Sequence, residues 1–314
     1  MFRIWIDEPL LDSVLPIFEG VAEIVGPRAS AEALATCDAA LVPGVRWDAA
    51  RMDTAPRLRV LSRIGVGYDN IDVAAATARG IMVCYTPQAP TISTAEHALA
   101  LLFAVAKTIC IGDRDVRAGR WHAAFWTLKG MELDGRTLGL VGAGRIGARV
   151  ATAAKAIGMR VLVFDPYLDA VRAAELGVER AGSLEALLGE SDVVSLHAPA
   201  TAQTHRMIDA ARLAQMKRGA LLINTARGAL VDEDALVAAL RSGHLGGAGL
   251  DVFDREPIAP DHPLLQLGNV VLTDHIASHT WAGHHRLYET AVRQALQALR
   301  GEKPAGLLNP TTND

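Results

Sequence analysis

An apolar, strand-like run, Thr137–Val141, passes directly into Gly142-Ala143-Gly144-Arg145-Ile146-Gly147, and a helical stretch follows to Ile157. Three glycines at this spacing constrain the chain more than any other feature. Gly142 permits a tight turn, Gly144 lets backbone approach a pyrophosphate, and Gly147 lets helix and strand pack closely. The helix N-terminus adds free N–H groups and partial positive charge. The next apolar run, Val161–Phe164, ends in Asp165, about 20 residues on. A carboxylate there accepts hydrogen bonds from ribose hydroxyls and repels a 2′-phosphate. This order of elements predicts a Rossmann-type dinucleotide site that prefers NAD to NADP.

The same alternation runs through the whole chain, as in parallel sheets with crossover helices. In the first part, strands are expected at Phe2–Ile6, Ala22–Val25, Ala39–Val42, Leu58–Ile64 and Ile81–Cys84. Helices are expected near Ala31–Ala35 and Ile71–Arg79, and a long amphipathic stretch runs from Ser93 to Arg117 with Ser93 as its N-cap. The second block adds strands at Arg160–Phe164, Val193–His197, Ala220–Asn224, Gly249–Val252 and Val270–Leu272. Its helices are expected near Leu184–Leu188, Ala210–Met216 and Asp234–Arg241, and a last helix covers Gly283–Arg300. Leu58–Ile64 also runs into glycines, Gly65-Val66-Gly67, but lacks the third, so it is the poorer nucleotide site.

The fold class is therefore α/β, with two doubly wound parallel-sheet domains. Residues 1–100 with 284–314 form the discontinuous first domain, and residues 101–283 are inserted within it. A ligand is expected in the cleft between them.

Composition removes several classes. With 31 basic and 35 acidic side chains the net charge is −4, which offers no basic face to a nucleic acid. Cys37, Cys84 and Cys110 are odd in number and lack a CxxC, which fits a reducing cytoplasm rather than a disulfide scaffold. The N-terminus does not read as a signal peptide, and the longest apolar run, Ala98–Ala106, is too short to span a bilayer. His275, His279, His284 and His285 lie close in sequence, but no HExxH is present, and no metal is expected. Trp121, Trp126 and Trp281 are expected in the core or at an interface, with Trp281 a candidate for shaping the substrate pocket.

Three ionisable residues follow expected strands on the side where open α/β sheets bind ligands: Arg227, Glu256 and His275. A guanidinium fork holds a carboxylate and polarises an adjacent carbonyl. An imidazole moves the proton that accompanies a hydride, and a neighbouring carboxylate fixes its tautomer.

With these motifs in order, the sequence resembles the NAD-dependent D-isomer-specific 2-hydroxyacid dehydrogenases of the phosphoglycerate, hydroxypyruvate and glyoxylate type. The likeness rests on Arg63–Asp72, Thr86-Pro87, Thr94-Ala95-Glu96, Leu138–Gly147, His197-Ala198-Pro199, Asn224–Gly228, Asp251-Val252-Phe253 and His275-Ile276-Ala277. It implies a flavodoxin-like substrate domain, an inserted Rossmann domain, NAD as cofactor and a homodimer. It implies that Arg227 binds substrate, that His275 is the acid/base, and that Glu256 is its partner. The N–H groups of Gly65, Val66 and Gly67 would receive the substrate carboxylate. Arg145 and Ile146 would meet the pyrophosphate and Asp165 the ribose. His197, Ala198, Pro199, Thr225, Ala226 and Asp251 would line the rest of the cofactor site, with Asp251 near the carboxamide. Thr94 would lie near the nicotinamide ring, and Val66, Arg227 and His275 would also touch the cofactor.

The sequence departs from the family pattern at Asp274, where a Pro usually precedes the histidine, and at Ser278-His279, which replace a pair of small residues. The appended effector domain of some phosphoglycerate enzymes is expected to be absent. The expected reaction passes a hydride between nicotinamide C4 and C2 of a small 2-keto or D-2-hydroxy acid. An NAD(H)-sensing corepressor-like protein on the same fold is the alternative, and a methyltransferase is a weaker one. Arg63 and Arg46 are the candidates for meeting a substrate phosphate.

Overall fold

The first sheet is built from five short apolar runs: β1 (Phe2–Ile6), β2 (Ala22–Val25), β3 (Ala39–Val42), β4 (Val60–Arg63) and β5 (Met82–Cys84). All pair in parallel, in the order β2-β1-β3-β4-β5, which is the flavodoxin-like winding. β3 is buried at every position, as a strand covered on both faces must be. Alternate residues feed opposite faces: Ile4 and Ile6 enter one apolar cluster and Trp5 the other. Three short helices, α1 (Ala31–Leu34), α2 (Ala49–Asp53) and α3 (Val73–Ala78), connect the strands. Asp48 and Asp72 cap the last two by accepting the N–H groups of Arg51 and Ala75. This computed structural model describes residues 1–122 and 130–309, so Trp126 lies outside the described residues.

The stretch expected as one helix is two: α4 (Thr91–Ala106) and α5 (Ile109–Arg117), bent by 64° at the break. Thr108 between them has a left-handed backbone, φ 54°, which a continuous right-handed helix cannot contain. Ser93 is not the cap. It lies inside α4, where it and Thr94 are buried as small residues of the first turn. No single helix among the described residues is long and apolar enough to cross a membrane.

The second sheet has seven parallel strands in the order β12-β11-β10-β9-β6-β7-β8. Along the chain these are β6 (Thr137–Val141), α6 (Arg145–Ala156), β7 (Arg160–Phe164), α7 (Ala170–Leu176), β8 (Glu179–Arg180), α8 (Leu184–Glu190) and β9 (Val193–Leu196). There follow α9 (Ala210–Gln215), β10 (Leu221–Asn224), α10 (Glu233–Arg241), β11 (Gly247–Leu250) and β12 (Val270–Leu272). The order reverses direction beside β6, the topological switch where such sheets bind ligands. The last helix, α11 (Trp281–Leu299), returns to the first sheet, and Ser62 Oγ donates to Ala291 O at 2.8 Å.

The chain divides into Met1–Thr91 with His279–Asp314, and Ile92–Ser278. The sequence-based boundaries at 100/101 and 283/284 fall inside α4 and α11. Trp121 and Trp281 are exposed, at 74% and 91%, and belong to no core.

Candidate active site

Two glycines of the turn after β6 are required by contacts within the fold, and the third stands open. A Cβ at Gly142, whose φ is 98°, would lie 2.9 Å from His197 O, and one at Gly147 would lie 2.2 Å from Gly142 O. At Gly144 a Cβ would meet nothing within 4 Å. The backbone there is open to approach from outside. Gly144 is also the N-cap of α6, with Arg145 exposed and Ile146 half-buried in the first turn. This is a cradle for an anionic group at a helix start.

Asp165, at the end of β7, closes the same turn. Its Oδ2 accepts from Ala143 N at 2.8 Å and its Oδ1 from Tyr167 N at 2.9 Å. The carboxylate is thus held beside the glycine turn. His197 follows β9 beneath that turn, its Nε2 2.9 Å from Ser195 Oγ, and burial pushes its pKa down to about 4. Ala198 and Pro199 continue from it. Thr225, just past β10, is buried, and its Oγ1 has no hydrogen-bond partner among the described residues. An open glycine, a held carboxylate and an orphan hydroxyl at the ends of β6, β7 and β10, on one edge of the sheet, fit a dinucleotide.

Farther along the same edge, adjacent strands carry the ionisable residues. The ladder continues past the strand ends: Asp251 N donates to Asn224 O at 2.9 Å, and His275 N donates to Asp251 O at 2.9 Å. Arg227 therefore follows β10, Glu256 follows β11 and His275 follows β12. Asn224 clamps the first turn, donating from Nδ2 to Arg227 O at 2.9 Å and accepting from Ala226 N at 3.0 Å. Gly228 then passes so close to the next loop that a Cβ would lie 1.9 Å from Phe253 C. That contact seats the half-buried Arg227 beside the Glu256 loop.

His275 Nδ1 lies 2.6 Å from Glu256 Oε2, and Glu256 Oε1 accepts from Phe253 N at 3.0 Å. Burial opposes ionisation of Glu256. The His275 hydrogen bond, the Phe253 N–H and the charges of His275 and Arg227 outweigh it, holding the carboxyl below its ordinary range. An ionised Glu256 accepts only, so Nδ1 carries hydrogen and Nε2 is left to exchange a proton. His275 has φ 57°, an unusual conformation for a side chain of this size, and the Asp251 contacts hold it there.

Asp251 is fully buried. Its Oδ1 accepts from Thr273 Oγ1 at 2.6 Å and Ile276 N at 2.9 Å, and its Oδ2 accepts from Ala277 N at 3.0 Å. Burial again opposes ionisation, and hydrogen bonds from His97, Thr273 and the two amides overcome it.

Residues 99–277 match the family described as D-isomer specific 2-hydroxyacid dehydrogenase, NAD binding domain. The chain belongs to this family. It is 49% identical over 264 residues to a glyoxylate reductase of Korarchaeum cryptofilum, covering 83% of this chain and 79% of that one. It is 45% identical over 233 residues to a D-3-phosphoglycerate dehydrogenase of Archaeoglobus fulgidus, covering 74% and 44%. A D-lactate dehydrogenase from Aquifex aeolicus, solved with NAD and lactic acid, superposes with a TM-score of 0.84 at 32% identity, covering 96% of both chains. The protein is an NAD-dependent oxidoreductase that moves a hydride at the C2 of a 2-hydroxy or 2-keto acid.

Gly65, Val66 and Gly67 of this dehydrogenase lie in the first unit, after β4. Gly65 N donates to Thr86 Oγ1 at 2.8 Å, and Val66 is exposed. Arg63 braces the loop from within, donating to Gly67 O at 2.7 Å, Val42 O at 3.1 Å, Ile64 O at 2.5 Å and Pro43 O. Gly65 has φ 154°, a conformation L side chains rarely adopt, and a Cβ there would also sit 2.9 Å from that guanidinium. Arg63 is thus part of the loop's scaffold. Arg46 is exposed, 4.0 Å from Asp48.

Asn224, Gly228, Thr273 and His97 shape this site, and motif reading assigned none of them a role. Asn224 and Gly228 stand inside a recognised motif. Their signal was a polar side chain and a glycine flanking the arginine.

Proposed function

We propose that this dehydrogenase reduces a small, unphosphorylated 2-oxo acid of the glyoxylate or hydroxypyruvate kind, with His275 as proton donor and Arg227 as substrate clamp. The observation that carries this reading is the 2.6 Å Glu256–His275 pair, with Arg227 on the neighbouring strand end. The engagement of Arg63 with backbone carbonyls supports an unphosphorylated substrate, because that guanidinium serves the loop. The 49% identity to a glyoxylate reductase supports the same class.

When bound, NADH supplies a hydride to the substrate C2. The amides of Gly65, Val66 and Gly67 and the Arg227 fork bind the substrate carboxylate. Arg227 stabilises negative charge that grows on the carbonyl oxygen. Protonated His275 donates from Nε2 to that oxygen, forming the hydroxyl, and keeps its Nδ1 hydrogen on Glu256. In the reverse direction neutral Nε2 takes the hydroxyl proton. Gly144, Arg145 and Ile146 would hold the pyrophosphate, on the turn that Gly142 and Gly147 shape from within, and Asp165 would hold the ribose. His197, Ala198, Pro199, Thr225 and Ala226 line the remaining cofactor contacts, Thr94 supports the ring, and Asp251 holds the His275 loop.

The protein acts as a homodimer. The reading is supported by α5, which buries none of its residues and leaves Ile109 and Val116 exposed. Sedimentation at the mass of one chain would refute it. A cytoplasmic location is supported by three free cysteines, two of them buried, and cell fractionation tests it.

The experiment that decides the catalytic reading is NADH oxidation at 340 nm with glyoxylate, hydroxypyruvate, pyruvate and phosphohydroxypyruvate. Turnover is expected with the small acids, and His275→Ala is expected to lower kcat by about 10²–10⁴ with NADH affinity kept. Undiminished turnover in that variant would remove His275 from the mechanism.

A further inference from the structure

His97 stands on α4, 176 residues from Thr273 in sequence, with its Nε2 3.0 Å from Thr273 Oγ1 and 3.4 Å from Asp251 Oδ1. Thr273 has one hydroxyl hydrogen, and at 2.6 Å it goes to Asp251, whose ionised carboxylate can only accept. The Thr273 oxygen must then accept from His97, so His97 carries hydrogen on Nε2. A directed chain results, from His97 to Thr273 to Asp251. Asp251 in turn gathers the three successive amides of His275, Ile276 and Ala277.

The helix at the head of this chain packs closely on the sheet. α4 lies against β11 where only glycine fits: a Cβ at Gly249 would be 2.9 Å from Leu101 Cβ, and one at Gly247 would be 2.7 Å from Val105 Cγ1. His97, Leu101 and Val105 are spaced by four and share one face of α4. Thr94, one turn earlier, is buried on the same helix. One seam therefore joins the helix that carries Thr94 to the loop that carries His275, apolar at Leu101 and Val105 and polar at His97.

We propose that His97 is a positioning residue for proton transfer: through Thr273 and Asp251 it sets where the His275 ring stands relative to Thr94. This rests on the reading of His275 as proton donor. The Asp251 carboxylate is fully buried, so water does not replace a lost donor. The loop, which already holds His275 at a positive φ, would shift instead. A displacement of about 1 Å at a reacting group lowers rate by about 10²-fold.

The test compares His97→Leu, His97→Gln, Thr273→Val and the double variant His97→Leu/Thr273→Val, with glyoxylate and NADH. His97→Leu and Thr273→Val are each expected to lower kcat about 10–100-fold, with KM and NADH affinity within about threefold of wild type. His97→Gln returns a donor to the Nε2 position and is expected to recover most of kcat. The double variant is expected to be no worse than the poorer single, because both break one chain. Wild-type kcat in His97→Leu, no rescue by Gln, or effects that multiply would overturn the proposal. Should His97→Leu fail to fold, Thr273→Val alone decides through its kcat against KM. His275→Ala is measured alongside: if it keeps turnover the catalytic reading fails, whereas if only His97→Leu keeps turnover the catalytic reading stands and the positioning role falls.

Discussion

Replacing Glu256 by Gln tests the site's chemistry with almost no change of shape. Glu256 accepts twice, from Phe253 N and from His275 Nδ1. A carboxamide has one oxygen and one NH₂, so it can serve only one of these donors. If its oxygen keeps the Phe253 N–H, its NH₂ faces Nδ1, and the imidazole must place its hydrogen on Nε2. The ring then resists the doubly protonated form that donates in reduction, because Nδ1–H would meet N–H. A hydrogen bond to a charged group contributes about 1.5–3 kcal/mol net. Both side chains here are partly exposed, at 46% and 35%, so water screens the pair and the lower end applies. About 1.5 kcal/mol corresponds to roughly a tenfold fall in kcat for reduction. The assay is steady-state NADH oxidation with saturating glyoxylate, with NADH affinity measured by fluorescence. An unchanged kcat would mean that Glu256 does not act through His275.

Two other perturbations separate cofactor choice from stability. Asp165→Asn keeps an acceptor for Ala143 N but removes the charge. The preference for NADH over NADPH in kcat/KM is expected to fall at least about tenfold, and an unaltered ratio would show that Asp165 does not set it. His197 is neutral in the folded protein down to about pH 4, whereas an unfolded imidazole takes its proton near pH 6.5. Its contribution is therefore complete above pH 6.5 and is lost as pH falls from 6.5 towards 4. Relative to His197→Gln, wild-type protein should lose about 2–3 kcal/mol of unfolding free energy between pH 7 and pH 4.5. Urea denaturation at the two pH values reads this difference, and a gap that does not change with pH would refute it.

What could be read from the chain, and what could not, divides by the range over which each physical cause acts. The strands were legible because burial on both faces demands apolar runs such as Ala39–Val42 and Leu221–Asn224, and those runs are local. β8 escaped because two exposed residues, Glu179 and Arg180, carry no such mark. The break between α4 and α5 escaped because Ala98–Ala106 and Ile109–Arg117 each keep helical character, while the cause sits in one dihedral of Thr108. At the site, Arg227, Glu256 and His275 could be named because each directly follows a readable strand or its loop, and the winding order makes β10, β11 and β12 neighbours. The direction of the hydrogen bonds between them could not. Whether Nε2 of His275 is free depends on which atom Glu256 meets, and whether the loop stays in place depends on Asp251, Thr273 and a histidine 176 residues earlier. These relations are matters of about an ångström between distant segments, and periodicity has no means of recording them. Topology therefore brings Arg227, Glu256 and His275 to one edge of the sheet, while the atom that Glu256 meets fixes which His275 nitrogen is free and the buried polar chain behind them holds the loop in place.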